Sequence, residues 1–303
     1  MPFPLWTEHL GSAMNRAMVG FIIVVFIRGR ILPSILVFLT KILYNKYHMI
    51  RKLLFLLLCS PSLLWATTNT VVFNITTQQV LDGSLDSSEM SIASISKLMT
   101  VYTVLKENQD LTQKLTVSKH KRISNTRLNL GMVVSRSDLI KLALVSSDNV
   151  AAITLSENFP GGYSNFVRTM NINAHELNMD HSRFVEPTGL SPMNISTVND
   201  LVYLTETVSR YEVFREAAKS HSVIGEIQKG KKTSKVKGNP TSKYFGYDGI
   251  VTIKTGFTNA AGFCITMLVY SKDNLYNITI LNAKSKKERQ QLVEKSLSKI
   301  FRA

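Results

Sequence analysis

Three short strings stand in one order along this chain: Ser94-Ile95-Ser96-Lys97, Ser147-Asp148-Asn149 and Lys254-Thr255-Gly256. They are far apart in sequence, so a fold that uses them must bring a helix start, a loop and a strand to one place. Together they supply a serine with an amine one helical turn away, a second hydroxyl beside an amide, and a cationic strand. That set suits acyl transfer through a serine ester and calls for neither histidine nor metal.

Taken alone, each string is weak. Ser-x-x-Lys occurs four times, at Ser94/Lys97, Ser118/Lys121, Ser234/Lys237 and Ser296/Lys299. Only the first opens an apolar helix, with Ile95, Leu98, Met99, Tyr102 and Leu105 at helical spacing and Val101 and Val104 widening the face. Residues i and i+3 share a face and rise by about 4.5 Å, so Lys97 reaches the Ser94 hydroxyl. Burial there disfavours the charged amine and leaves a neutral base. The unpaired N–H groups at the helix start lie beside the developing charge. Ser147-Asp148-Asn149 also reads as a helix N-cap, and Lys254-Thr255-Gly256 as a strand that ends in a turn. A near-copy, Lys232-Thr233-Ser234, falls in a basic loop with no strand leading into it. The order of the three strings outweighs these separate readings.

The rest of the chain predicts an α+β domain over residues 67–303. Thr70–Ile75 and Val80-Leu81 read as strands, and Ser137-Asp138 caps a helix through Leu139–Val145. Helices follow at Tyr163–Leu177, after Gly161-Gly162, and at Asp200–Val208. Strands are expected at Gly249–Lys254, Phe263–Tyr270 and Tyr276–Leu281, before a last helix at Glu288–Phe301. An antiparallel sheet covered by helices, with a mostly helical subdomain, fits this order.

Residues 49–66 have the pattern of a secretory signal: Met49-Ile50-Arg51-Lys52, an apolar run from Leu53, and Ala66 at the boundary. Such a leader implies export to the periplasm or cell envelope. Residues 1–48 hold two apolar runs, Ala17–Ile27 and Ile31–Leu39, each shorter than the ~20 residues of a spanning helix. They read as an N-terminal extension from a start called too early, with a membrane anchor as the rival. Of the two cysteines, Cys59 falls in the leader and Cys264 in an apolar strand, where a buried thiol is expected.

The formal charge is +15; residues 1–66 hold seven Lys/Arg and one acid, leaving 29 basic and 20 acidic residues, +9, for 67–303. Lysines cluster at Lys229–Lys243 and Lys284–Lys287, with no nucleic-acid motif beside either. Solvated basic loops are the expectation, and an anionic wall polymer is compatible with them.

Two further segments, Phe184-Val185-Glu186-Pro187-Thr188-Gly189-Leu190 and Gly256-Phe257-Thr258-Asn259-Ala260-Ala261-Gly262, complete a resemblance. Across roughly residues 69–300 the chain resembles the low-molecular-mass penicillin-binding proteins, the serine D-alanyl-D-alanine peptidases. It is more similar to the short members, which include DD-endopeptidases that cut peptidoglycan cross-links. The resemblance implies a β-lactamase/DD-peptidase-like fold and hydrolysis of D-alanyl peptide bonds without metal or cofactor. It implies Ser94 as nucleophile, Lys97 as base and Ser147 as proton relay. Asn149, Lys254, Thr255 and Gly256 would hold the substrate, and the backbone N–H groups of Ser94 and Phe257 would form the oxyanion hole. Peptidoglycan peptides and β-lactam antibiotics are the implied partners, with carboxypeptidase and endopeptidase left open.

Other hydrolase readings meet missing residues. A zinc peptidase needs a second histidine where Met179 follows His175-Glu176. A class A β-lactamase needs a glutamate four residues before the asparagine of a Leu-Asn pair, and that place before Asn178 is Ala174. Glu186, the other candidate, has Leu190 four residues on. Slow hydrolysis of a penicilloyl ester follows. A catalytically weak scaffold that binds peptidoglycan is the reading from a different class.

Overall fold

The structure, a computed structural model, describes Tyr44 and residues 68–118 and 123–302. The signal at 49–66 and the extension at 1–48, Tyr44 apart, lie outside the described residues. Residues Ala66–Ala303 form one compact unit.

The strands β1 (Asn69–Asn74), β2 (Gln79–Gly83) and β3 (Met90–Ser91) come first, then a 3-10 turn at Ala93–Ser96 that runs straight into α1 (Lys97–Lys106). Next are β4 (Lys114–Thr116), β5 (Val133–Ser135), α2 (Arg136–Val145), α3 (Asn149–Glu157) and α4 (Gly162–Glu176). The short β6 (Ile195–Ser196) precedes α5 (Val198–Ser209) and α6 (Glu212–Lys219). A hairpin of β7 (Val223–Lys229) and β8 (Lys232–Gly238) leads to β9 (Ile250–Thr258), β10 (Gly262–Ser271), β11 (Asn274–Ala283) and α7 (Lys286–Arg302).

The main sheet has the order β2-β1-β11-β10-β9, every pair antiparallel. Along β10, Cys264, Ile265, Met267, Leu268 and Val269 are buried without alternation. A strand covered on both faces reads that way, and α5 and α7 supply the cover. A buried polar chain locks α5 to the sheet: Thr205 Oγ1 lies 2.9 Å from Thr266 Oγ1, which lies 2.7 Å from Thr279 Oγ1. The expected α+β architecture is therefore present.

Helix α1 is the core of the helical half, buried at every residue from Lys97 to Val104. A β-branched and aromatic run tolerates this only because α3, α4 and α5 surround it. The wide apolar face read from Val101 and Val104 is matched by this burial.

Local expectations fail at three places, each for a stated reason. Helix α2 is capped by Ser135, whose hydroxyl accepts from the Asp138 N–H, and not by Ser137-Asp138. Asp138 is thus a first-turn acid, favourable at the positive helix end. Strand β9 does not end at Lys254-Thr255-Gly256 but continues to Thr258, because β10 pairs with it as far as Gly262↔Thr258. Lys232-Thr233-Ser234 is not loop: it opens β8, which Val223, Gly225 and Ile227 anchor by burying alternate residues of β7.

Candidate active site

Ser94 sits on the 3-10 turn, half-buried, one residue after Ala93, which has φ +47. A left-handed alanine is uncommon and marks a backbone held by its surroundings. Two glycines do the holding. A Cβ on Gly256 would come within 2.8 Å of the Ile92 carbonyl oxygen and 3.0 Å of the Ser94 nitrogen. A Cβ on Gly189, at φ +79, would fall 1.8 Å from the Ala93 oxygen. The strand and the 184–190 loop therefore press on the turn from two directions, with no room for a side chain.

Lys97 is fully buried and its Nζ donates toward three oxygens: Ser94 Oγ at 2.9 Å, Asn149 Oδ1 at 2.7 Å and the Thr188 carbonyl at 2.6 Å. The Asn149 amide is oriented by its Nδ2, which donates to the Ser124 carbonyl at 2.7 Å. Asn149 Oδ1 and Thr188 O can only accept. A neutral Lys97 has two N–H bonds, which those oxygens consume, and its lone pair is left facing the Ser94 hydroxyl. Burial lowers the Lys97 pKa to about 7, against the opposing pull of Glu186 and Asp148. The neutral form is therefore accessible near neutral pH.

The second hydroxyl has its own lysine. Lys254 Nζ lies 2.9 Å from Ser147 Oγ and 2.7 Å from the Thr255 carbonyl. Burial, with the Lys97 charge next, holds its pKa well below the ordinary lysine value. Ser147 has φ +56, and Asn125 fixes that backbone by donating from Nδ2 to the Ser146 and Ser147 carbonyls. Asp148 is the N-cap of α3, accepting from the Ala151 N–H at 2.9 Å. It also accepts from Thr126 Oγ1 and the Arg127 N–H. The cap reading holds for Asp148, and the same string sets Asn149 against Lys97 and Ser147 against Lys254.

Thr255 Oγ1 donates to Thr241 Oγ1 at 2.7 Å, tying β9 to the segment after the hairpin. The Phe257 ring is exposed and stacks on Phe263 at 4.2 Å between centroids. The three strings thus converge: Ser94, Lys97 and Asn149 in one hydrogen-bonded group, Ser147 and Lys254 in a second, and Gly256 against the Ser94 backbone.

Sequence reasoning did not assign the loop that carries Thr188. Thr100 Oγ1 donates to the Pro187 carbonyl at 2.7 Å, and buried Asn194 donates from Nδ2 to Ser96 Oγ and to the Glu186 carbonyl. Asn194 Oδ1 accepts from the Val185 and Glu186 N–H groups. Glu186 itself is saturated, accepting from Thr188 N, Thr188 Oγ1, Gly189 N and Ser191 N. Its carboxylate ties the loop and does not serve as a free base. Among the described residues no cluster of His, Cys, Asp or Glu has metal-site geometry.

The fold is that of the serine DD-transpeptidases. The structure superposes on the DD-transpeptidase of Streptomyces with a TM-score of 0.73 at 21% identity, covering 78% of this chain and 97% of that one. Penicillin-binding protein D2 of Listeria monocytogenes, in a cefotaxime-bound form, gives 0.66 at 26% identity over 76% of this chain and 95% of that one. The chain belongs to the D-alanyl-D-alanine carboxypeptidase family, whose model matches residues 61–285, and it is a peptidase of that family. It is 34% identical to the D-alanyl-D-alanine endopeptidase of Escherichia coli and 33% identical to that of Pseudomonas aeruginosa, over 72% of each chain. A D-alanyl-D-alanine carboxypeptidase of Bacillus subtilis is 26% identical, over 77% of this chain and 61% of its own.

Proposed function

We propose that Ser94 is the nucleophile of a DD-endopeptidase that opens D-alanyl cross-links of peptidoglycan in the cell envelope. The observation that carries this reading is the Lys97 amine 2.9 Å from Ser94 Oγ, with its other two directions taken by Asn149 and Thr188. Lys97 accepts the Ser94 proton as the Ser94 oxygen bonds to the D-alanyl carbonyl carbon. The carbonyl electrons move to oxygen, where the N–H groups of Ser94 and Phe257 receive them; one such donor is worth ~3–4 kcal/mol.

The C–N bond then breaks, and the leaving amine receives, relayed through the Ser147 hydroxyl, the proton that Lys97 took from Ser94, so that Lys97 is neutral again. Lys254, 2.9 Å away, donates to the Ser147 oxygen and orients that hydroxyl for the relay. Water, deprotonated through Lys97, hydrolyses the Ser94 ester and frees the acid. Asn149 holds Lys97 and the substrate amide, while Thr255 and Gly256 line the strand on which the substrate lies. A β-lactam acylates Ser94 by the same steps. Its ester persists, because the amine of the opened ring stays tethered to the acyl group where the peptide's amine departs. The saturated Glu186 offers no second base for water.

Endopeptidase is preferred because relatives of that name share 32–34% identity with this chain, against 26–27% for those named carboxypeptidases. Residues 67–303 act as the catalytic domain, and residues 49–66 direct it outside the cytoplasm. The segment before Met49 is the place where membrane association would arise; among the described residues no helix is long and apolar enough to cross a membrane. Chromatography of purified muropeptide dimers and monomers after incubation tests the reading. Conversion of dimers to monomers is expected; release of D-alanine from monomers with dimers intact would contradict it.

A further inference from the structure

The hairpin of β7 and β8 carries five lysines against one acid, Glu226, which stands opposite Lys235 in the register. Lys229, Lys231, Lys232, Lys235 and Lys237 are all exposed, and no acidic residue occurs from 229 to 247. Among the described residues none of the five makes an ion pair. The register places Lys229 opposite Lys232, a like-charge pair that weakens a ladder. Lysine on an edge strand guards against edge-to-edge pairing. That accounts for Lys232, Lys235 and Lys237 within β8. It does not account for Lys229, on the inner strand, or Lys231, in the turn, which with Lys232 crowd the tip at the last register pair.

The base of this hairpin abuts the site. A Cβ on Gly238 would fall 2.8 Å from Ser146 Oγ, next to Ser147. Three residues on, the Thr241 N–H donates to the Val145 carbonyl and its hydroxyl accepts from Thr255. At about 3.3 Å per residue the lysines flank the sheet edge from the rim at Lys237 to a tip roughly 20 Å out, Lys235 and Lys237 on one face and Lys229 and Lys232 on the other. An extended polyanion held along this edge, within reach of lysines from both faces, has one end at the site. A flat bilayer would need more apolar contact than Ile224, the one large apolar side chain exposed on the hairpin, provides.

We propose that the hairpin is a docking arm for the carboxylates of acidic stem peptides in the polymeric wall. It seats the polymer while one D-alanyl bond lies at Ser94. The proposal rests on the reading of Ser94 as nucleophile and names the form of substrate that site takes: an acidic polymer in preference to a short free peptide. Charge complementarity of this kind acts through encounter and residence and is screened by salt.

The test compares the full chain with a variant carrying Lys229→Gln, Lys231→Gln, Lys232→Gln, Lys235→Gln and Lys237→Gln. Co-sedimentation with purified sacculi is measured from low salt to ~1 M, where the screening length is ~3 Å. Penicillin labelling and cleavage of a short soluble D-alanyl peptide report on the site. Sacculus binding at low salt is expected to fall roughly tenfold in the variant, and wild-type binding to fade with salt. Penicillin labelling is expected to stay within about twofold. Amidating the sacculus carboxylates is expected to reproduce the loss with the unchanged protein, which decides the matter if the variant does not fold. Equal sacculus binding by both proteins overturns the proposal, as does a loss confined to phosphatidylglycerol vesicles. Absence of penicillin labelling in the unchanged protein overturns the nucleophile assignment instead and leaves the binding result readable.

Discussion

Gly256 and Ser94 touch through their backbones: a Cβ on Gly256 would lie 3.0 Å from the Ser94 nitrogen. The conformation at Ser94, after a left-handed Ala93, is thus set by a strand far along the chain. Gly256→Ala must push β9 away from the turn, an overpacking that costs about 1–3 kcal/mol. A lower melting temperature and a penicillin acylation rate reduced roughly tenfold or more are expected. Unchanged acylation would show that strand and turn are not coupled.

The Lys97 pKa of about 7 sets a pH dependence. A general base must be neutral, so acylation is expected to rise about tenfold per pH unit below 7 and to level off above it. Lys97→Arg keeps the charge at every accessible pH and is expected to lower acylation by roughly 10²–10⁴. A pH profile flat from 5 to 9, measured by stopped-flow acylation, contradicts this.

Thr100 carries a prediction about the loop that presents Thr188. Thr100→Val removes the donor to the Pro187 carbonyl and leaves that oxygen buried without it, at a cost of about 1–3 kcal/mol. Denaturant unfolding is expected to show that loss. The acid limb of the acylation profile is expected to shift as well, because the loop holds both Thr188 and Glu186 near Lys97.

Cys264 is fully buried and its thiol is pushed up to about 11, chiefly by burial. A thiol reagent at neutral pH is expected to leave the Cys264 peptide unmodified in the folded protein and to modify it in denaturant. Peptide mass mapping reads both outcomes. Rapid labelling of the native protein would contradict the packing of β10.

Much of this was legible in the sequence, and the remainder was not for physical reasons. The Ser94/Lys97 pair stood out because an apolar helix surrounds it, and the structure gives that pair a 2.9 Å contact. The order of the three strings led to the fold. Thr188 was not readable, since a carbonyl oxygen leaves no trace in residue type. The hairpin was missed because β8 is rich in lysine, which is depleted in strands, and β7 shows only three buried alternations. Lys254-Thr255-Gly256 reads as a strand end because Gly256 weakens a strand pattern, whereas its missing side chain makes room for Ser94.

The central claim is a covalent one, and intact-protein mass spectrometry after incubation with a penicillin tests it most directly. The account predicts one adduct of the full mass of the antibiotic, mapped to the peptide holding Ser94, slow to hydrolyse and absent from Ser94→Ala. An adduct that survives in Ser94→Ala, or one that maps to Ser147, would contradict it.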